Sequence, residues 1–382
     1  MKLLFILKAF ASIAGVERVM SDKMNYLAER GHTVMLITYE QGNHPLIYTL
    51  HKSICHQDLD CRFFTLLGLS PLRRMYESRK MSNRFKKRLN EIINEFLPDT
   101  IIAPTYPINV IRELTETKGQ AKLIIESHTT YLQAMKEYSK KRSFLGHWIA
   151  IFYDKYILHI LKKCDCMGVL TEGDASFWRK HIQHVSVIPN PLTYYPESID
   201  DVSKVSGRVI SIGRLTVIKR FDRLINAFAL ICNNNPNWHI DIFGDGSDED
   251  MLNSQISKLH LNNRIIIHPP TNDIFTEMKK SQFLVMTSES EGFPLVLIEA
   301  LACGIPCISF DCPYGPGEII ENNKTGLLAL NGDIPDLANK MNYLMKNPDI
   351  LKEMSINARK EALRFRKEEI LRKWEKLYEG YY

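Results

Sequence analysis

The sequence predicts an α/β protein with two doubly wound, Rossmann-like parallel sheets. Short apolar runs alternate along the chain with longer segments of helical periodicity, which is typical of parallel α/β layers. The length of 382 residues and the hydrophobic content of 45% allow two ordinary domains, each with its own core. This composition excludes disordered and fibrous classes of protein.

The apolar runs of strand length fall into two groups, one in each half of the chain. We expect strands at 2–8, 33–38, 100–103, 122–126 and 166–170, and then at 208–212, 238–243, 264–268, 283–287 and 306–310. Prolines and an acidic, serine-rich stretch between the groups are typical of a solvated linker. The sequence thus predicts an N-terminal domain over 1–190, a linker over 191–206, a C-terminal domain over 207–362 and a closing helix over 363–382.

The start of the chain and the cysteines indicate a cytoplasmic protein. The apolar run from Met1 to Leu7 is interrupted by Lys8 and followed by a helical stretch and a second apolar run, so a strand explains it better than a secretion signal. The eight cysteines lack the paired spacing of a zinc site. We therefore expect reduced thiols and neither a metal nor a cofactor.

Two glutamates separated by seven residues, Glu291 and Glu299, are the most informative feature of the chain. Between them, Gly292, Phe293 and Pro294 predict a tight turn that opens a helix, which then runs from Leu295 through Ala302 and stops at Gly304. The first helical residues, Leu295 and Val296, offer free backbone amides to an anion. Because the helix is apolar almost all round, a charged Glu299 within it needs a partner.

A second segment has the residues that a diphosphate requires. Gly213 ends a predicted strand, Arg214 offers a planar fork of donors, and Lys219 adds a point charge. Two ordinary exposed cations are the alternative interpretation.

Gly244 belongs to a further glycine-rich loop at a strand end, where nucleotides bind in such folds. This loop is not a dinucleotide fingerprint, because Glu249 occupies the place of the third glycine.

Taken together, these motifs resemble those of retaining GT-B glycosyltransferases of family 4. The resemblance rests on the Glu291–Glu299 segment, on Ser211–Leu215 with Lys219 and Phe221-Asp222, on Asn190-Pro191, and on 311–320 with 323–328. The last two stretches are similar to those of enzymes that build bacterial surface polysaccharides and lipid-linked oligosaccharides. One departure is Arg220, which stands where the family usually has glycine.

The resemblance implies two domains that face a central cleft, and a last helix that returns to the N-terminal domain. It implies that Glu299 binds the ribose of a nucleotide sugar and that Glu291 meets the transferred sugar, either at a hydroxyl or at the charge on C1. His128 matches the active-site histidine of the family, acting through its backbone or ring, with a satisfied structural histidine as the alternative. Gly15 matches the glycine loop near the donor phosphate.

The implied reaction moves a hexose or N-acetylhexosamine to a saccharide acceptor, without a metal. Pro269-Pro270 replaces a glycine that similar enzymes often carry beside the base, so uridine and guanosine both stay open, with UDP favoured. Two rivals are a sugar-nucleotide 2-epimerase and a non-catalytic binding protein of similar fold.

Charge is unevenly divided along the chain. Residues 1–190 contain 27 Lys and Arg against 18 Asp and Glu, while the remainder contains 22 against 26. The excess concentrates at 71–90 and 136–142, and an apolar, aromatic stretch follows the second segment. This pattern suits a peripheral contact with an anionic membrane, at the inner face of the cell membrane, and a lipid-linked acceptor. A solvated helix face is the alternative, and the lack of interleaved aromatics argues against nucleic acid.

Overall fold

The computed structural model describes residues 1–11, 15–66, 68–105, 107–128, 130, 144–199 and 205–381. The chain divides into two compact units. The N-terminal unit contains Met1–Pro189 together with Glu368–Tyr382, and the C-terminal unit contains Asn190–Lys367. The first unit is therefore assembled from both ends of the chain.

The N-terminal unit has a seven-stranded sheet in which the described pairings are all parallel. Its strands are β1 (Lys2–Leu7), β2 (Thr33–Thr38), β3 (Cys55–Asp58), β4 (Thr100–Pro104), β5 (Lys122–Ser127), β6 (Cys166–Val169) and β7 (Val185–Val187). The strand order is β3-β2-β1-β4-β5-β6-β7, so the winding direction reverses between β1 and β4. The helices are α1 (Gly15–Glu29), α2 (Pro71–Phe96), α3 (Ile108–Thr117), α4 (Phe144–Leu161) and α5 (Glu172–Trp178).

The C-terminal unit has a six-stranded sheet, again with parallel pairing throughout the described strands. Its strands are β8 (Arg208–Ile212), β9 (His239–Phe243), β10 (Ile265–His268), β11 (Phe283–Met286), β12 (Cys307–Phe310) and β13 (Gly326–Ala329). The order is β10-β9-β8-β11-β12-β13, which reverses between β8 and β11. The helices are α6 (Phe221–Ile231), α7 (Glu249–Lys258), α8 (Ile274–Lys279), α9 (Leu295–Ala302), α10 (Pro316–Ile319), α11 (Ile334–Lys346) and α12 (Pro348–Glu361).

The predicted fold class is confirmed, and each of the ten predicted strands is present with its ends within two residues. Strands β3, β7 and β13 are not predicted by the sequence pattern. Each of these strands has only three or four residues and lies at the edge of its sheet. β3 and β7 bury little surface, so a polar sequence such as Cys55-His56-Gln57-Asp58 carries no apolar pattern that would reveal it. β13 is mostly buried, but an apolar run of four residues does not distinguish a strand from a piece of helix.

The last helix, α13 (Lys367–Glu379), packs in the N-terminal unit. Trp374 and Tyr378 are buried there. A Cβ atom on Gly168 in β6 would lie 2.6 Å from the ring of Trp374, so glycine is needed for this approach. Thr100 at the start of β4 donates a hydrogen bond of 2.9 Å to the carbonyl of Tyr378. The helix is therefore part of the core of this unit.

A completely buried ion pair lies beneath this helix. Lys23 of α1 donates to the carboxylate of Glu126 in β5 at 2.7 Å, and neither side chain is exposed. The Lys23 ammonium also lies 3.2 Å from the centroid of the Trp374 ring. Burial lowers the pKa of Lys23 to about 8, against the attraction of Glu126. Burial alone would raise the pKa of Glu126, but Lys23 and His128 outweigh it and bring that pKa to about 2.

None of the helices in the described part of the chain is both long enough and apolar enough to span a bilayer. The eight cysteines are all free thiols, and only Cys55 is exposed.

We expect the N-terminal unit to lose stability in acid through Glu126. The pKa of Glu126 in the folded state, about 2, lies below the usual value of 4.5. The ionised carboxylate therefore adds to the free energy of unfolding above pH 4.5, and this stabilisation is lost as the pH falls toward 2. The loss should be on the order of 3 kcal/mol. Urea unfolding of the wild type and of Glu126→Gln, measured between pH 6 and pH 2.5, checks this. The difference in unfolding free energy should shrink as the pH falls, and pH curves that stay parallel would contradict it.

Candidate active site

The predicted diphosphate and sugar residues come together at the point where the C-terminal sheet changes direction. In open parallel sheets, ligands bind outside the carboxyl ends of the strands at this reversal. The reversal lies between β8, which is followed by Gly213 and Lys219, and β11, which is followed by Glu291. The ammonium of Lys219 donates to Oε1 of Glu291 at 2.6 Å. A cation and a carboxylate 72 residues apart in the sequence thus form one pair.

Hydrogen bonds between the two loops hold this pair in place. The hydroxyl of Thr287 donates to the carbonyl of Lys219 at 3.0 Å, and the amide of Glu289 donates to the carbonyl of Ile218 at 2.8 Å. Both side chains of the pair remain partly accessible, 28% for Lys219 and 13% for Glu291. The pair is therefore fixed by the backbone but still within reach of a ligand.

Helix α9 begins and ends where the sequence predicts. Pro294 caps it in an extended conformation, and Gly304 follows its last turn with a φ of +65°. The amides of Leu295 and Val296 open the helix, where no acceptor lies one turn behind them. Glu299 lies inside the helix and is only 7% exposed.

The turn before α9 is covered by a second loop. A Cβ atom on Gly315 would lie 2.9 Å from Cδ of Pro294 and 3.1 Å from Cβ of Glu291. Phe293 packs edge-on against Phe365, with ring centroids 5.6 Å apart. The backbone from Glu291 to Pro294 is thus held from two sides.

The glycine-rich loop after β9 packs against the loop after β8. A Cβ atom on Gly244 would lie 2.0 Å from the carbonyl oxygen of Gly213, which no side chain can tolerate. Leu215 donates its amide to the carbonyl of Asp245 at 2.6 Å. Gly244 therefore owes its identity to this close backbone approach, which keeps Gly213 at the sheet edge.

The three cations near this edge differ in their surroundings. Lys219 is paired with Glu291, whereas Arg214 is exposed and forms no ion pair with the residues that the structure describes. Arg220 adopts the left-handed conformation, with φ +53° and ψ +40°. Glycine favours that region, which explains the family preference at this position. The guanidinium of Arg220 is bound by Asp222 at 2.8 and 2.9 Å and lies 3.8 Å from Glu289.

The structure also shows features of this edge that sequence reasoning missed. Ser288 and Ser290 are buried, and their hydroxyls have no partner among the described residues. The rings of Phe243 and His268 stack at the ends of β9 and β10, with centroids 4.7 Å apart. His268 lies beside Pro269-Pro270, the segment that the sequence analysis places near the base. Nothing in the sequence pattern distinguished these serines or this stack.

The predicted residues of the N-terminal unit form a separate group at its own sheet edge. Gly15 is exposed at the first position of α1, and Ser12 to Ala14 before it lie outside the described residues. His128 follows β5 directly, with Nε2 3.0 Å from Oε2 of Glu126. Sequence reasoning placed no role on Glu126 or Lys23, although a charged residue within the apolar run of β5 was a signal for one.

The chain contains two Asp-x-Asp triplets, a pattern that can bind a metal ion: Asp58-Leu59-Asp60 and Asp248-Glu249-Asp250. Asp58 accepts hydrogen bonds from the amides of Gln41 and Gly42, and Asp60 pairs with Arg62 and Arg84. Asp248 caps α7. Within the described ranges, the one group with the spacing for a metal ion is His32, Glu375 and Glu379 in the N-terminal unit, where Arg30 pairs with Glu375 at 2.7 Å.

This fold has two α/β units, each with a parallel sheet whose winding direction reverses once, and it is the GT-B fold. A mutant of Staphylococcus aureus TarM, solved with fondaparinux, α-GlcNAc-glycerol and UDP, matches it with a TM-score of 0.76, 16% identity and coverage of 99% of both chains. Residues 13–193 match the family model Glycosyltransferase Family 4, and residues 202–361 match Glycosyl transferases group 1. The two models together match most of the chain, which belongs to the GT-B glycosyltransferases.

Two relatives align over nearly the whole chain. An uncharacterized glycosyltransferase of Haemophilus influenzae is 26% identical over 376 residues, covering 98% of each chain. The second is the Campylobacter jejuni GalNAc-α-(1→4)-GalNAc-α-(1→3)-diNAcBac-PP-undecaprenol α-1,4-N-acetyl-D-galactosaminyltransferase. It is also 26% identical, over 382 residues, covering 99% of this chain and 98% of its own.

Proposed function

We propose that the chain is a retaining, metal-independent transferase that moves a hexose or N-acetylhexosamine from UDP to a lipid-linked saccharide, in the synthesis of a cell-surface polysaccharide. The observation that carries this proposal is the Lys219–Glu291 pair beside the start of α9, at the reversal of the C-terminal sheet. A cation next to a carboxylate suits a ligand whose anionic leaving group adjoins a polyhydroxylated sugar.

The donor would lie along this edge with its diphosphate at the start of α9. The amides of Leu295 and Val296 suit phosphoryl oxygens, and Arg214 is available as a further donor. Glu299, one turn further in, would accept hydrogen bonds from the ribose hydroxyls. The UDP in the TarM complex supports this choice of nucleotide.

The chemistry would depend on charge that develops as the glycosidic bond breaks. Negative charge grows on the departing diphosphate, where Lys219, Arg214 and the helix amides stabilise it without a metal ion. The acceptor hydroxyl attacks from the face that the diphosphate leaves, and the diphosphate takes the hydroxyl proton. The configuration at C1 is therefore retained. Glu291 would hold the sugar, and the family resemblance assigns His128 to the C6 hydroxyl of that sugar.

A lipid-linked acceptor fits the surface of α2. Leu72, Met75 and Tyr76 are 78%, 65% and 68% exposed, and their spacing places them on one face. Arg73, Arg74, Arg79 and Lys80 surround them without ion pairs to any described residue. Exposed apolar side chains among unpaired cations suit an anionic membrane surface better than a simply solvated face.

The C. jejuni relative, whose name includes PP-undecaprenol, supports the same acceptor class. The second basic segment, 136–142, lies outside the described residues.

A panel of UDP- and GDP-sugars tests the proposal. Thermal shift identifies the donor, and transfer to undecaprenyl-diphosphate-linked saccharides is then followed with and without EDTA. Transfer that survives EDTA and keeps the anomeric configuration supports the proposal. Strict dependence on Mn²⁺ contradicts the metal-free mechanism. Conversion of the free donor without an acceptor indicates a 2-epimerase, and binding without any turnover indicates a non-catalytic protein.

We expect Glu299→Ala to weaken donor binding far more than it slows turnover. A ribose contact is present in both the ground state and the transition state, so its loss raises KM and leaves kcat near the wild-type value. Calorimetric titration with UDP and steady-state kinetics measure the two effects. Unchanged UDP affinity would show that Glu299 does not bind the ribose.

We expect Lys219→Ala to lower kcat by roughly 10² to 10³, the usual loss when one preorganised donor to developing charge is removed. Arg214→Ala should act in the same direction. Lys258→Ala, on the exposed side of α7, is the matched control and should retain full activity. Turnover that stays normal at saturating donor would mean that the cations only contribute binding.

We expect the chain to sediment with vesicles that contain phosphatidylglycerol and not with pure phosphatidylcholine vesicles. Leu72→Ser/Met75→Ser should reduce the bound fraction at every salt concentration, because it removes the apolar contact. Arg73→Glu/Arg79→Glu should abolish binding mainly at low salt, where screening is weak. Equal binding by the wild type and both double variants would eliminate α2 as the contact surface.

A further inference from the structure

The carboxylate of Glu126 is surrounded by donors from three separate elements. Its Oε2 accepts from Lys23 of α1 at 2.7 Å and lies 3.0 Å from Nε2 of His128, just beyond β5. Its Oε1 accepts from the hydroxyl of Tyr378 in α13. Glu126 itself is completely buried. Both carboxylate oxygens are therefore committed, and the side chain has no freedom to turn.

This arrangement restricts the imidazole of His128. Its side chain is 6% exposed, and Glu126 is the one charged group within ion-pair distance of it among the described residues. Nε2 lies 3.0 Å from Oε2 of Glu126 but does not meet the geometry of a hydrogen bond, so it has no hydrogen-bond partner among the described residues. Catalytic contacts often align only when substrate binds. An ionised carboxylate can only accept, so the nitrogen that faces it must carry the proton. In the neutral ring, Nδ1 is then left as an acceptor.

We propose that Glu126 is a positioning residue that fixes the tautomer and orientation of His128, and that Lys23 and Tyr378 hold Glu126 for this task. The last helix of the chain thereby contributes to the site at which His128 acts. This inference rests on the proposed function, since it assigns the ring of His128, through Nδ1, to a hydroxyl of the transferred sugar.

Stability alone is a poor reason for such a pair. Burying two charges costs about as much as their attraction returns, and apolar replacements of buried pairs are often neutral. A pair that also faces a histidine at a strand end has a further use, because the orientation of a ring depends on the hydrogen bond at its other nitrogen. The Trp374 ring against Lys23 keeps the ammonium in its place.

The first test is nuclear magnetic resonance of the imidazole nitrogens in protein labelled at histidine. The His128 signals are identified by their absence in His128→Ala. We expect the wild type at neutral pH to show Nε2 protonated and Nδ1 unprotonated, and Glu126→Gln to show a mixture of tautomers. Tyr378→Phe removes one hydroxyl and should produce a smaller change in the same direction. A wild-type ring protonated at Nδ1 alone would overturn the proposal, whatever reaction the protein catalyses.

The second test is kinetic and uses the full chain with its donor and acceptor. We expect Glu126→Gln to lower kcat by about 10²-fold with little change in KM, the usual cost of a misplaced catalytic group. In a His128→Ala background, Glu126→Gln should cause no further loss, because it acts only through the histidine. If kcat of the double variant falls by the product of the two single losses, Glu126 acts independently of His128 and has a purely structural role.

Glu113→Gln is the matched control for these measurements. Glu113 is a buried carboxylate of the same unit, paired with Arg112 at 2.6 Å and away from His128 in the sequence and in its contacts. Its variant should lose stability without a change in kcat or in the His128 signals. If the wild type transfers no sugar from any donor, the proposed function fails, while the tautomer measurement still decides the role of Glu126.

Discussion

Parallel pairing of the strands is the constraint on which the rest of this structure depends. It brings the carboxyl ends of neighbouring strands to one edge, and the reversal of winding leaves a gap at that edge. The loops after β8 and β11 meet there because β8 and β11 are neighbours in space, although 70 residues lie between the two strands in the sequence. Lys219 and Glu291 could not form a pair without this arrangement. The chemistry of the site therefore follows from the topology.

The sequence predicted what depends on local pattern. The central strand β11 is a continuous apolar run, and α9 has a proline before it and a glycine after it, so their bounds could be predicted. The positions of Gly213 and Lys219 at the sheet edge follow from the same reasoning. The edge strands β3 and β7 were not predicted because they bury too little to need an apolar pattern.

The remaining parts of the site depend on contacts between distant segments. The identity of Gly244 is explained only by the carbonyl of Gly213, and the burial of Glu126 only by Lys23 and Tyr378, which lie 103 and 252 residues away in the chain. The left-handed backbone at Arg220 is a related case. Its side chain gains two bonds to Asp222, which offset part of the cost of a conformation that glycine adopts freely. Such contacts between distant segments cannot be predicted from the spacing of residues in the sequence.

The return of α13 to the N-terminal unit has a consequence for how the protein is made. Residues 190–367 are continuous, so the C-terminal unit needs no segment from elsewhere in the chain to fold. The N-terminal unit, although synthesised first, must wait for Trp374 and Tyr378 before its core closes over Lys23. A released chain that ends at residue 367 would therefore contain every residue of the second unit and an open first one, and proteases would meet the half that was synthesised first in its less protected form.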